Sequence, residues 1–237
     1  MPLQKMNNTN ISFLSGLLHL SDPTLPIGGY THSNGLETYV QERIVHNVET
    51  AKEFVQNMLQ YNLKFNDGAF VKLAYQAAEN NDLQTLLDLD NECNAIKCPK
   101  EIRQASQKLG LRLIKIFKRR ESFPLMEAFE KAIQNKESNS HYCIVFGIYA
   151  YLMKIPLYEA LLGFYYTSIA GMITNAVKLV PLGQLDGQDI LFELYPVMEK
   201  TVLETIELDR DLVGLCNTAF DIRCMQHERL YSRLYMS

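Results

Sequence analysis

Between Ala160 and Val177 the chain runs without a charged side chain, with Glu159 and Lys178 standing close on either side. A helix apolar all round finds company for every face only in lipid or in the middle of a bundle. Thr167, Ser168, Thr174, Asn175 and two glycines interrupt the stretch, and it has no companion span, so the sequence predicts a long helix buried at the centre of the fold. No membrane partner is expected.

The remaining apolar residues keep helical rather than strand spacing. Val48, Ala51, Val55 and Met58 step by three and four, as do Ala69/Phe70, Leu73/Ala74 and Ala77, and Ile102, Ala105, Leu109, Leu113 and Ile116. Asp82 before Leu83–Leu89 and Ser122 before the Leu125, Met126, Phe129 face are expected caps, with Pro124 in a first turn where its missing N–H has no partner. His141–Met153, Pro156–Val180, Gln184–Glu204 and Asp209–Tyr231 read as further helices. Nothing alternates with period two between turn residues. The fold class is therefore all-α, a single-domain multi-helix bundle over 1–237.

Composition narrows the function. Of 237 residues 47% are hydrophobic, enough for a sizeable core, and 23 Lys and Arg against 27 Asp and Glu leave a net charge of -4. A nucleic-acid partner is not expected, since no basic surface is on offer to displace counterions. Five cysteines without a preceding secretory pattern, the first ten residues being polar and Asn-rich, predict free thiols in a reducing cytoplasm.

Common catalytic motifs are absent. Gly28-Gly29 lacks the Gly-Lys-Ser/Thr ending of a phosphate loop, and Thr31 breaks the Gly-x-Ser-x-Gly pattern around Ser33. His227-Glu228 begins like a zinc-protease helix, but Tyr231 stands where the second histidine is needed. The cysteines and histidines show no ligand spacing, so no metal site built by this chain is expected. His19 and His46 read as solvated or capping residues near helix ends.

Two segments carry more specification than packing requires. Ser21-Asp22-Pro23-Thr24-Leu25-Pro26-Ile27-Gly28-Gly29-Tyr30 cannot continue a helix, because its prolines deny amide donors and its glycines permit positive φ. The opening 1–37 is accordingly expected to be irregular. At the other segment, Pro181 and Gly183 punctuate the end of the apolar helix and place Gln184 and Gln188 at an exposed joint.

These segments resemble the UreF family of urease accessory proteins. The likeness runs through Leu18-x-Leu20-Ser21-Asp22-Pro23-x-Leu25-Pro26-Ile27-Gly28-Gly29-Tyr30-x-His32-Ser33-x-Gly35-Leu36-Glu37, then Arg103-x-x-Ser106-x-x-x-x-Gly110 and His141-x-x-x-Val145-Phe146-Gly147. It continues in Leu179-Val180-Pro181-Leu182-Gly183-Gln184-x-x-Gly187-Gln188 and ends in Met225-x-His227-Glu228-x-Leu230-Tyr231-Ser232-Arg233-Leu234-Tyr235-x-Ser237. Where the family usually carries Phe, this chain has Tyr30 and Tyr235.

The resemblance implies a non-enzymatic, dimeric adaptor. It would work with the scaffold UreD/UreH and the GTPase UreG to deliver nickel to apo-urease, holding no cofactor of its own. On this reading Pro23, Pro26, Gly28, Gly29, Tyr30, His32 and Glu37, with Gln184 and Gln188, are expected to face the GTPase. Arg229, Tyr231, Arg233, Leu234 and Tyr235, in a docking segment 226–237, are expected to face UreD and to be mobile until they do, aromatics and arginine being strong interface anchors. The competing classes are an enzyme of unrecognised type and a nickel- or small-molecule-binding helical module.

Overall fold

Helix starts follow the local chemistry of the chain in the computed structural model, which describes residues 12–236, with the backbone alone at Tyr30. The polar opening and Ser237 lie outside the described residues. Asn47 accepts the Thr50 amide at 2.9 Å while the Thr50 hydroxyl takes the Asn47 amide at 3.1 Å, a reciprocal cap for α3 (Val48–Asn57). Asp82 caps α5 (Leu83–Ile96) through the Thr85 hydroxyl and amide, which hold its carboxyl below the usual range. Ser122 does not cap. Pro124 occupies the first position of α7 (Pro124–Gln134), which puts Phe123 at the cap, and the Ser122 hydroxyl donates to Glu127 instead.

The remaining order is α1 (Leu14–Leu20), a 3₁₀ turn (Gly29–Thr31), α2 (Leu36–Gln41), α3, a π-helical stretch (Met58–Gly68), α4 (Ala69–Glu79), α5, α6 (Lys100–Phe117), α7, α8 (Tyr142–Leu152), α9 (Leu157–Leu179), α10 (Gln184–Ile206), a second 3₁₀ turn (Arg210–Leu212) and α11 (Thr218–His227). Among the described residues there is no strand, as the helical spacing predicts.

Two expectations are corrected. The opening is not irregular throughout: α1 is a helix that lays Leu17 and Leu20 on the core before the Pro/Gly loop begins. The last helix does not run from Asp209 to Tyr231. Asp209 caps a short turn, the chain bends at Gly214 to donate to the Phe65 carbonyl at 2.8 Å, and Asn217 starts α11 afresh.

The centre also differs from the reading of the apolar stretch. The helix enclosed on all sides is α8, buried without a break from Cys143 to Ala150. Along α9 burial covers half of the apolar stretch; Thr174 is exposed, and Ser168 and Thr174 satisfy their hydroxyls on the Phe164 and Ala170 carbonyls. Phe146 of α8 meets Phe164 of α9 edge to face at 5.1 Å, and Tyr165 donates or accepts at Thr205 of α10 at 2.6 Å. α4 packs on α8, and α10 on α9, closing the bundle around these rings.

Candidate functional site

The Pro/Gly loop is folded in part by its own polar groups. The Asp22 carboxylate accepts the Thr24 amide at 2.8 Å and hydroxyl at 2.7 Å, contacts that keep its carboxyl below the ordinary value. Gly28 sits at φ +88°, and Arg112 of α6 reaches past it to the Ile27 carbonyl at 2.8 Å, through the space a Cβ would fill. Gly35, at φ +79°, lets Cys224 and Phe220 of α11 press against the start of α2. Pro23 and Pro26 are exposed at the loop surface, Gly29 is half-buried, and Gly28 and His32 are buried beneath it. Of Tyr30 only the backbone is described.

The surroundings of His32 disfavour the charged form of its ring. Burial, reinforced by the Lys108 and Arg112 charges, lowers its pKa from the usual 6.5, against a smaller pull from Glu101.

Glu37 is where the structure departs furthest from the sequence reading. It does not present a face to solvent: it is 4% exposed, and its carboxyl group makes three hydrogen-bonding contacts with the tail and α11. Its Oε1 takes the Leu234 amide at 2.7 Å, and its Oε2 takes the Tyr235 amide at 3.1 Å and His227 Nε2 at 3.2 Å. The other ring nitrogen, Nδ1, lies 2.7 Å from Glu101, whose second oxygen accepts from Arg233 at 2.7 Å. The His227 ring thus bridges the Glu37 and Glu101 carboxyl groups, and Arg233 joins it on Glu101. The Met236 amide donates to the Thr31 carbonyl at 2.9 Å and Gln41 to the Ser232 carbonyl at 3.0 Å.

The tail is therefore tied to the opening loop within the chain, which corrects the expectation that it is mobile alone. Tyr235 is buried and Arg233 is engaged with Glu101, whereas Arg229, Tyr231 and Leu234 stand exposed. Glu37, from the set expected to face the GTPase, thus binds Leu234 and Tyr235, from the set expected to face UreD. Sequence reasoning missed Glu101 and gave His227 no role, although His227 lies in a quoted motif.

Beneath the loop lies a cavity of about 450 Å³. One polar wall comes from the π-helical stretch, where Asn62, Asn66 and Asp67 fall on one side, and its other walls from α6, α9 and the Gly214–Asp221 segment. Asn175, 2% exposed, donates to the His32 carbonyl at 2.8 Å and leaves its Oδ1 without a partner. On the far side of the same turn of α9, Ile173 and Val177 hold Gly187, so α9 bridges the loop and the start of α10. There Gln184 and Gln188 are exposed; the Gly183 amide is satisfied by Asp186 at 2.7 Å, so neither glutamine is needed as its cap.

Comparison with known proteins places the chain in a family. The UreF family profile matches residues 45–195. The chain belongs to the UreF family. A protein named urease accessory protein UreF from Actinobacillus pleuropneumoniae serotype 5b (strain L20) is 50% identical over 94% of this chain and 99% of its own length. Proteins of the same name from Haemophilus influenzae (strain PittGG) and Bacillus sp. (strain TB-90) are 46% and 34% identical, over 97% and 94% of this chain and 98% and 99% of theirs. The profile covers the helical body, while the pairwise likenesses to UreF relatives span nearly all of the chain.

Proposed function

We propose that this chain serves urease maturation as an adaptor without bond-making chemistry of its own. It joins UreD/UreH and the GTPase UreG, as a homodimer in the cytoplasm, and couples GTP hydrolysis to the insertion of nickel into apo-urease. Nickel is cargo, not a resident cofactor. The observation that carries the reading is the 50% identity, over nearly the whole chain, to a protein named urease accessory protein UreF.

The structure supports a sharper division of labour among the proposed contacts. Pro23, Pro26, Gln184 and Gln188 are exposed and suited to touch the GTPase, whereas Gly28, His32 and Glu37 act from below by shaping the loop. Tyr231, Leu234 and Arg229 offer exposed anchors to the scaffold, with Arg233 and Tyr235 fixing their base. A preformed surface loses little freedom on binding, which favours affinity.

Pull-down of the tagged chain from cells expressing the other maturation proteins, with and without GTP, tests the reading. Deleting Tyr231–Ser237 is expected to abolish UreD capture with helical circular dichroism intact, because α11 ends at His227. Unchanged co-purification would reject the scaffold assignment. The second reading, a small-molecule or nickel module, is favoured by the cavity and the unpartnered Asn175 oxygen. It predicts a melting shift with stoichiometric nickel in the chain alone, which the adaptor does not.

A further inference from the structure

We propose that Cys93 and Cys143 are a buried redox-responsive dithiol that closes to an internal disulfide when a peroxide-class oxidant enters from the cavity. The two sulfurs lie 3.6 Å apart, on α5 and in the first turn of α8, in a contact between residues 50 apart in sequence. Disulfide sulfurs are about 2.05 Å apart, so each has on the order of 0.8 Å to travel, less than a rotamer change.

Their register is held from both sides. Asp90, one turn before Cys93, accepts the Ser138 hydroxyl at 2.8 Å, the Ser140 amide at 3.0 Å and the His141 amide at 2.8 Å, which pins the entry of α8 to α5. Lys97, one turn after Cys93, is locked to Asp67 at 2.8 Å and directs its charge at both thiols.

The pair is chemically unequal. Burial raises both thiols, but at Cys93 the hydrogen bond with Cys143, the Lys97 charge and the His141 ring outweigh it and favour the thiolate. Cys143 is driven the other way by burial and by its contact with Cys93. Cys93 is thus the attacking sulfur and Cys143 the resolving one.

Neither thiol touches solvent or lines the cavity, so the proposed oxidant has to pass the side chains that stand between the two. Tyr142, next to Cys143 in the chain, and Lys97, one turn after Cys93, form that wall of the cavity together with Ser106. The Cys93 thiolate attacks one peroxide oxygen, the O–O bond breaks, and a sulfenic acid and hydroxide result. The Cys143 thiol then attacks the sulfenic sulfur; the S–S bond forms, the S–O bond breaks, and the hydroxyl leaves as water with the Cys143 proton. Two thiols lose two electrons and two protons, the hydroxide takes a proton from solvent, and one hydrogen peroxide becomes two waters.

The test is a thiol map of the full chain. Reduced native protein is treated with hydrogen peroxide, remaining thiols are alkylated after unfolding, and tryptic peptides are analysed by mass spectrometry. Cys98 and Cys216, exposed on the same cavity, and Cys224, buried elsewhere, are internal controls. The expected result is a Cys93–Cys143 linked peptide in most chains, a raised melting temperature, and reversal of both by dithiothreitol. The Cys98→Ser/Cys216→Ser variant should close equally, and Cys143→Ser should trap Cys93 as a dimedone-reactive sulfenic acid. Recovery of both pair thiols alkylated while Cys98 or Cys216 is oxidised would overturn the proposal. So would a 93–143 link that forms only in urea. Should Cys143→Ser fail to fold, the native map alone decides.

Discussion

The α8–α9 core and the loop–tail assembly are held together by opposite kinds of force. In the core, Phe146, Phe164, Tyr165 and Phe70 are enclosed among other apolar side chains, and no single contact is decisive. In the loop–tail assembly a few polar groups do the holding: Glu37, His227, Glu101 and Arg233 join residues as far as 198 apart in sequence. Area sums over many residues, whereas a hydrogen-bonded node stands or falls with one carboxylate. A core can lose shape gradually; a latch opens.

That contrast orders the effects of substitution. Phe146→Ala, at a site with no exposure, is expected to cost about 3–5 kcal/mol in urea or thermal melts and to weaken the bundle as a whole. Glu37→Ala should cost less globally, about 1.5–3 kcal/mol for its charge-assisted contacts, and should leave helical circular dichroism unchanged while releasing the tail. Equal losses of helicity in the two variants would erase the distinction between core and latch.

His32 supplies the next test, through pH. Its folded pKa lies below the unfolded value of 6.5, so between those values the unfolded chain binds a proton that the folded chain does not. Stability is therefore expected to fall as pH drops below 6.5, and His32→Gln should flatten that part of the profile. A parallel profile for the variant would place the acid sensitivity elsewhere. The smallest effect is expected at Lys118→Ala, which removes an exposed pair with Glu130 at 2.7 Å and should change stability by no more than about 1 kcal/mol in the same melts.

The same contrast explains what the sequence made legible. The faces of α4 and α6 were readable because burial repeats every three to four residues, and the Asp82 cap because it acts over one turn. Ser122 misled by a single position, since Pro124 fixes where α7 begins. The π-helical stretch keeps ordinary helical residues, so nothing in Met58–Gly68 announces that its turns widen to shape a cavity. The motif residues of the loop and tail were noticed as separate signals. That Glu37 would bind the Leu234 and Tyr235 amides was not readable, because backbone amides leave no mark in a sequence and their partner lies at the other end of the chain. Glu101 was missed for the same reason: one acidic residue in the first turn of a helix ordinarily answers to the helix dipole.

Amide hydrogen exchange at Leu234 and Tyr235 in the free chain tests the latch most directly. Both amides are expected to be protected in the unaltered protein and to exchange freely in Glu37→Ala, with the amides of α8 equally protected in both. Unprotected amides in the unaltered chain, or protection that survives the substitution, would contradict a tail held by Glu37.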